Sequence, residues 1–382
     1  MKQLFWFSLS WVLLAYAGYP LLLCFRAKLW PRPVKRGSIF PTVTIVLAVH
    51  NEGKSLPGKL QNLAAMDYPA DRLQVIVVSD GSTDATNGIL AAWQGVGRRA
   101  VILQEHRGKA VALNRGVAEA QGEIVVFADA RQVIAPDALR NLVADFADPS
   151  IGCVSGALIM RKDRNAPSAQ GVTLYWEMEK RIRNWEGLVG STIGATGALY
   201  GVRRDLVSRV PEGTILDDVY IPLDVVRQGY RAVFEPRALA WDPFIPNPKQ
   251  EFLRKLRTLV GNYQLLRLAP WVLTDSSRLR FQFICHKMLR LFVPFALMGL
   301  LISAFCIRTS MYELALILQL AFYSLAALSL FRSKFGIVSR LSDISLAFIV
   351  MNSAAAVAFV YFITGREVAW GGDGELEITA ST

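Results

Sequence analysis

Four cysteines in 382 residues, at positions 24, 153, 285 and 306, show neither a metal-ligand spacing nor a paired framework. Three of them fall in or beside apolar stretches and read as small hydrophobes, so no disulfide scaffold is expected. Charge is scarce as well. Only 19% of residues are charged against 53% apolar, too greasy for an ordinary soluble protein. Internal repeats and low-complexity tracts are missing. The long apolar runs contain almost no acids, which argues against a transporter working through intramembrane carboxylates.

Acids are outnumbered by bases, leaving a net charge of +11. Much of that charge borders apolar runs: residues 251–290 carry eight Lys/Arg against two acids. Anionic membrane lipid is therefore the expected partner, and nucleic acid is not.

The apolar excess is localised. Residues 3–25, 289–307, 312–331 and 344–364 are each long and apolar enough to span the roughly 30 Å hydrocarbon core. Arg26, Lys28, Arg32, Lys35 and Arg36 follow the first run, and Lys2 alone precedes it. That asymmetry places the globular part on the cytoplasmic side of the inner (plasma) membrane, with both termini outside. Arg332, Lys334 and Arg340 in the loop predicted inside agree, as does the acidic tail with Glu367, Asp373, Glu375 and Glu377. Ala15-Tyr16-Ala17 imitates a signal-peptide cleavage site, but the apolar run continues to Phe25. The expected division is a membrane helix with a basic flank (1–36), a globular domain (37–248), interfacial amphipathic helices (249–288), and three membrane helices with an acidic tail (289–382).

From Pro41 onward, short β-branched runs alternate with helical stretches. Strands are predicted at 43–49, 73–79, 100–104 and 124–128, and helices near 54–66, 84–94, 109–120 and 136–146. This rhythm predicts a mostly parallel, doubly wound α/β sheet covered on both faces. A strand at 152–160, a charged aromatic helix at 170–188 and a glycine-rich segment at 187–201 follow. Pro236, Pro243, Pro246 and Pro248 mark the exit from the domain. Beyond it, 250–269 and a second segment from Arg278 read as amphipathic helices, at the membrane interface or packed on the domain.

Three strands end on carboxylates: Val43–Val49 runs into Glu52, Val75–Ser79 into Asp80, and Ile124–Phe127 into Asp129. Open α/β sheets bind nucleotides at such tips. Asp80 alone reads equally as an N-cap, a role open to Ser82 or Thr83. Clustering with Glu52 and Asp129 favours a ligand, because like charges repel unless offset. Arg107-Gly108-Lys109 opens a helix and suits an anion. In Asp217-Asp218, one carboxylate can cap a helix while the other serves as general base. His286, Lys287 and Arg290 face either headgroups or the diphosphate of a lipid-linked acceptor.

Thr44-Ile-Val-Leu-Ala-Val-His-Asn-Glu52, Val77-Val-Ser-Asp-Gly-Ser-Thr-Asp84, Gly108-Lys-Ala-Val-Ala-Leu-Asn114 and Gly122-Glu-Ile-Val-Val-Phe-Ala-Asp129 stand in order. Together they resemble an inverting family 2 glycosyltransferase of the GT-A fold, in the membrane-embedded branch with cellulose, hyaluronan and exopolysaccharide synthases. The resemblance covers roughly 40–262. It implies transfer from a nucleotide-sugar, expected to be a UDP-sugar, to a lipid-linked or growing polysaccharide acceptor. Glu52 and Asp80 would hold the nucleoside, with Lys109 near the nucleotide. Asp129 opens the family's Asp-x-Asp motif and is the implied metal ligand. Asp218 matches the family's base, with Asp217 beside it, and Thr196 and Gly197 fall where the acceptor site is lined.

Two departures stand out. The second Asp of Asp-x-Asp is Arg131. Either Arg131 pairs with the diphosphate and partly replaces a Mg²⁺ or Mn²⁺ ion, or it turns away and Asp129 keeps the metal. The Gln-x-x-Arg-Trp stretch of the polymerising synthases reads Arg254-Lys255-Leu256-Arg257-Thr258. Arg254 and Arg257 remain candidates for the acceptor side, but the aromatic platform is gone. Trp176, Trp185 and Trp241 either replace it or pack in the core. This favours transfer of one or a few sugars. The alternatives are a processive synthase that also secretes its product, and an inactive nucleotide-sugar-binding subunit of an assembly complex.

Overall fold

The computed structural model describes residues 1–160, 169–242, 248–274, 279–328, 336–368 and 378–380. The helix Lys2–Leu29 (α1) is apolar enough to cross a membrane and carries Arg26 and Lys28 in its last turn. The chain then enters a βα alternation: β1 (Val43–Val49), α2 (Leu56–Ala64), β2 (Leu73–Asp80), α3 (Thr86–Trp93), β3 (Arg98–Leu103), α4 (Lys109–Ala118) and β4 (Ile124–Ala128). Their β-branched residues suit a pleated, doubly covered surface. Side chains alternate across the sheet. Val46, Ile76 and Val125 pack on one face, and Ile45, Val75 and Val126 on the other. Each such fully buried side chain contributes roughly 1.5–3 kcal/mol.

The pattern then breaks: β5 (Val133–Ile134), α5 (Ala138–Val143), β6 (Ile151–Met160), α6 (Ala169–Val189), β7 (Leu199–Arg203), α7 (Asp217–Arg227) and β8 (Arg231–Asp242). The eight strands are ordered β3-β2-β1-β4-β7-β6-β8-β5. Strands β3, β2, β1 and β4 are mutually parallel, and β7 is antiparallel to both β4 and β6. The chain steps outward from β1 in both directions, so the carboxyl ends of β1, β2 and β4 border a crevice.

Pro236 does not mark the end of the domain. It lies inside β8, where the pairing with β6 jumps from Ser155↔Phe234 to Ala157↔Leu239. A bulge removes the ladder bond that proline cannot make. Pro243 and Pro246 lie outside the described residues, as do Arg332, Lys334, Asp373, Glu375 and Glu377.

After α8 (Pro248–Leu268) come α9 (Arg280–Cys306), α10 (Ser310–Leu328) and α11 (Gly336–Thr364), then short strands β9 (Arg366–Val368) and β10 (Ile378–Ala380). With α1, the segments Arg280–Cys306, Ser310–Leu328 and Leu341–Thr364 are long and apolar enough to span a bilayer. Arg278 lies outside the described residues; from Arg280 the helix runs without a break through a π-turn at Phe283–Met288 into the apolar segment that ends at Cys306. Helix α8 packs between the domain and α11. Its Leu256, Val260 and Tyr263 share one apolar cluster with Val219 of α7, Leu291 of α9 and Ala358 of α11. This continuous core fixes the sheet's crevice relative to the membrane helices.

Candidate active site

Asp80 is wholly buried at the tip of β2. Its carboxylate accepts the Arg107 N–H at 2.9 Å and the Gly108 N–H at 2.7 Å, and pairs with His106 Nδ1 at 2.8 Å. Gly81 makes this possible. It adopts φ +61°, and a Cβ there would lie 2.3 Å from the His106 backbone nitrogen. Asp80 therefore fastens the 106–108 loop, each of its oxygens accepting a backbone N–H. Glu52, half-buried at the opening of α2, is capped by Ser55, and its own N–H donates to Thr86 Oγ1 at 2.9 Å.

Held this way, α4 projects Lys109 across the sheet edge. Its Nζ lies 3.0 Å from Asp129 Oδ1 and 3.1 Å from Asp217 Oδ1. Burial opposes the ammonium charge, but Asp129, Asp217 and Asp218 outweigh it and hold the pKa above the usual range. Asp217 is buried and also accepts from the Tyr200 hydroxyl at 3.2 Å. Asp218, one residue further at the start of α7, accepts the Gly197 N–H on Oδ2 at 3.0 Å. Burial, then repulsion from Asp217, pushes its carboxyl up to about 6, with Lys109 and Arg183 acting in the opposite sense. A carboxylate titrating there is suited to general-base work near neutral pH.

The space between Asp129 and Asp218 exists because residue 197 lacks a side chain. A Cβ there would lie 3.1 Å from Asp129 Oδ2 and 3.5 Å from Asp218 Oδ2. Gly197→Ala would crowd Asp129 and fill part of this space, so turnover is expected to fall, by less than the roughly 100-fold that a 1 Å misplacement of reacting groups costs, with nucleotide affinity nearly unchanged. Steady-state kinetics beside a nucleotide-binding isotherm check this. Thr196 is buried behind the site, with its N–H on Ser155 Oγ at 3.0 Å.

Arg131 turns away from this centre. Its Nε and Nη2 grip both oxygens of buried Asp242 at 3.0 and 2.9 Å, and Arg254 reaches the same carboxylate at 3.2 Å. Of the two readings of Arg131, this placement matches the one in which it turns away, its bidentate edge engaged by Asp242. Arg257 does face the acids. Burial lowers its pKa while Asp217, Asp129 and Asp218 raise it. Thr258 is exposed and bonds back to the Arg254 carbonyl. Trp176 carries the Lys255 ammonium 4.7 Å from its ring centroid. Trp185 and Trp241 belong to apolar clusters, so their role is packing. Sequence reasoning missed Tyr200, Asp242 and Lys59. The Lys59 ammonium is buried on the Gln132 carbonyl at 2.8 Å, and burial lowers its pKa to about 8 against the pull of Asp129.

Residues 44–210 match the sequence profile described as Glycosyl transferase family 2. This domain is a family 2 glycosyltransferase domain. The Poly-beta-1,6-N-acetyl-D-glucosamine synthase of Staphylococcus aureus is 27% identical over 204 residues, 52% of this chain and 49% of that protein. Its counterpart from Staphylococcus epidermidis is 25% identical over 242 residues, 62% and 58% respectively. The chain thus spans about half the length of the curated relatives it matches. Among solved structures, the mannosyltransferase PcManGT from Pyrobaculum calidifontis, in complex with GDP-Man and Mn²⁺, superposes with TM-score 0.71 at 26% identity. It covers 94% of this chain and 99% of that one. The family 2 domain and the membrane helices around it therefore recur together in a solved protein, and the GT-A-like fold expected from the motifs is the one observed.

Proposed function

We propose that this chain is an inverting glycosyltransferase of exopolysaccharide or glycolipid biosynthesis. It moves a sugar from a nucleotide-sugar, on our reading a UDP-sugar, to a lipid-linked or growing polysaccharide acceptor at the cytoplasmic face of the plasma membrane. The observation that carries this is Asp218, raised to about 6 and aimed by the Gly197 N–H into the space beside Asp129. Asp218 Oδ1, the oxygen not bonded to Gly197, takes the proton of the acceptor hydroxyl. That oxygen forms its bond to the anomeric carbon as the carbon–phosphate-oxygen bond opposite breaks, which inverts the configuration. Asp217, tied to Tyr200 and Lys109, orients the helix start. Lys109 and Arg257 offset charge on the departing diphosphate.

The donor set suits a divalent cation held by one protein carboxylate. Among the described residues no group of three His, Cys, Asp or Glu side chains is placed to hold a metal. Asp129 nonetheless keeps Oδ2 toward the open space, and Mg²⁺-type ions commonly take one or two carboxylates with phosphate oxygens and water. When bound, such an ion stabilises negative charge on the leaving diphosphate. Arg131→Ala is expected to leave the metal requirement unchanged. It should instead destabilise the fold by about 1.5–3 kcal/mol, the cost of weakening a charge-assisted bond to a buried carboxylate. Thermal unfolding and an EDTA titration separate the two effects.

A panel of UDP- and GDP-sugars with membrane lipid extract tests the function. One labelled sugar per nucleotide released, on a lipid-soluble product, supports it, and binding without turnover retracts it. The names of the staphylococcal relatives favour a second reading, a processive synthase. Long polymer from purified protein and donor alone would select that reading.

A further inference from the structure

Beside the acid cluster, on the far side of Lys109, opens a cleft of about 370 Å³. It lies where the start of α4, helix α8 and the end of α11 meet. Arg107, Lys109, Arg257, Arg267 and Arg366 line it, with no carboxylate among the described residues that do. Lys109 and Arg257 reach the acid cluster from this side, whereas Arg107, Arg267 and Arg366 add positive charge that an anion in the cleft would offset. Arg107 has an exposed contact with Glu212 at 3.3 Å, worth little in solvent. Arg257 Nε is buried and has no hydrogen-bond partner among the described residues. Such an orphaned donor asks for a missing acceptor.

The two outermost arginines are positioned by aromatic rings. Arg267 lies 4.4 Å from the Phe362 ring centroid and donates to the Phe362 carbonyl at 3.3 Å. Arg366 lies 5.8 Å from the Tyr361 ring centroid. A guanidinium stacked on a ring keeps its planar edge for an oxyanion, and its rotamer freedom is already reduced. The volume falls in the range of small-ligand sites.

We propose that this cleft is an organic-diphosphate site completed by the last membrane helix, with Arg267 and Arg366 supplying two of its anion-binding groups. The choice of diphosphate over other anions rests on the glycosyltransferase reading. Two sources share the chemistry: the nucleoside diphosphate of the donor, and the diphosphate of a polyprenyl-linked acceptor. Either way, the membrane helix would take part in holding the reacting ligand.

The test uses the full chain in phosphatidylcholine nanodiscs. Binding is measured for UDP, for GDP, and for a polyprenyl diphosphate incorporated in the disc. The variant Arg267→Gln/Arg366→Gln is expected to weaken at least one of these about tenfold or more. Arg308→Gln, outside the cleft, should not. The ligand that weakens identifies the source. Affinities for all three within twofold of wild type would overturn the proposal. If the double variant does not fold, arginine labelling of the wild type by phenylglyoxal decides. Protection of Arg267 and Arg366 by saturating diphosphate supports the site, and equal labelling retracts it. A chain that binds diphosphate here but transfers no sugar loses the glycosyltransferase reading alone. One that transfers sugar yet binds normally in the double variant loses only the cleft.

Discussion

Replacing Asp218 by Asn is expected to lower sugar transfer by about 10²–10⁴-fold, the usual contribution of a general base, while nucleotide affinity stays within a few-fold of wild type. Asn preserves the shape and the acceptor for the Gly197 N–H, so the α7 start should hold. What it loses is the proton-accepting oxygen. The pH profile makes the assignment specific. Burial and Asp217 lift the Asp218 carboxyl to about 6, and the base works only when ionised. Wild-type turnover should therefore fall about tenfold per pH unit below that value, and residual Asn activity should lack this limb. Asp217→Asn is the contrast. Asp217 is committed to Tyr200 and Lys109, so its loss should cost stability and some rate but retain the acid limb. A limb that vanished with Asp217 and survived in the Asp218 variant would exchange their roles.

The parts of the fold legible from sequence are those made by local pattern. β1, β2 and β4 are buried on both faces, so their apolar runs are continuous and end on a polar residue where the chain meets the crevice. β8 was hidden because Glu235, Pro236 and Arg237 interrupt its run. Only the pairing with β6, distant in sequence, makes a bulged strand of it. The site divides similarly. Asp218 and Lys109 sit in short motifs, each readable within a few residues. The fate of Arg131 was not readable, since its partner Asp242 lies 111 positions away and no spacing rule links them. Asp80 shows the reverse case. Its place at a strand tip was plain, but that its carboxylate would accept the N–H groups of Arg107 and Gly108 depends on a loop docking against Gly81.

Lys109→Met carries the second large expectation. The substitution keeps the length of the stem and removes the charge that bridges Asp129 and Asp217 at 3.0 and 3.1 Å. A unit charge pair at about 4 Å is worth about 4 kcal/mol at the effective dielectric near a protein surface, so three neighbouring carboxylates lose their main counter-charge. Two consequences follow in opposite directions along the pH axis. The Asp218 carboxyl, already at about 6 with Lys109 among the groups holding it down, should rise further, which moves the acid limb of turnover upward. Above that limb, turnover should still fall by about 10²–10³-fold, because a preorganised cation near the departing diphosphate is gone. Lys109→Arg restores charge but not the compact ammonium geometry, and should recover the limb more fully than the rate. If Lys109 only stapled α4 to α7, the Met variant would melt at lower temperature and turn over slowly with the limb unmoved. An upward shift of the limb is the outcome that a purely structural lysine does not produce.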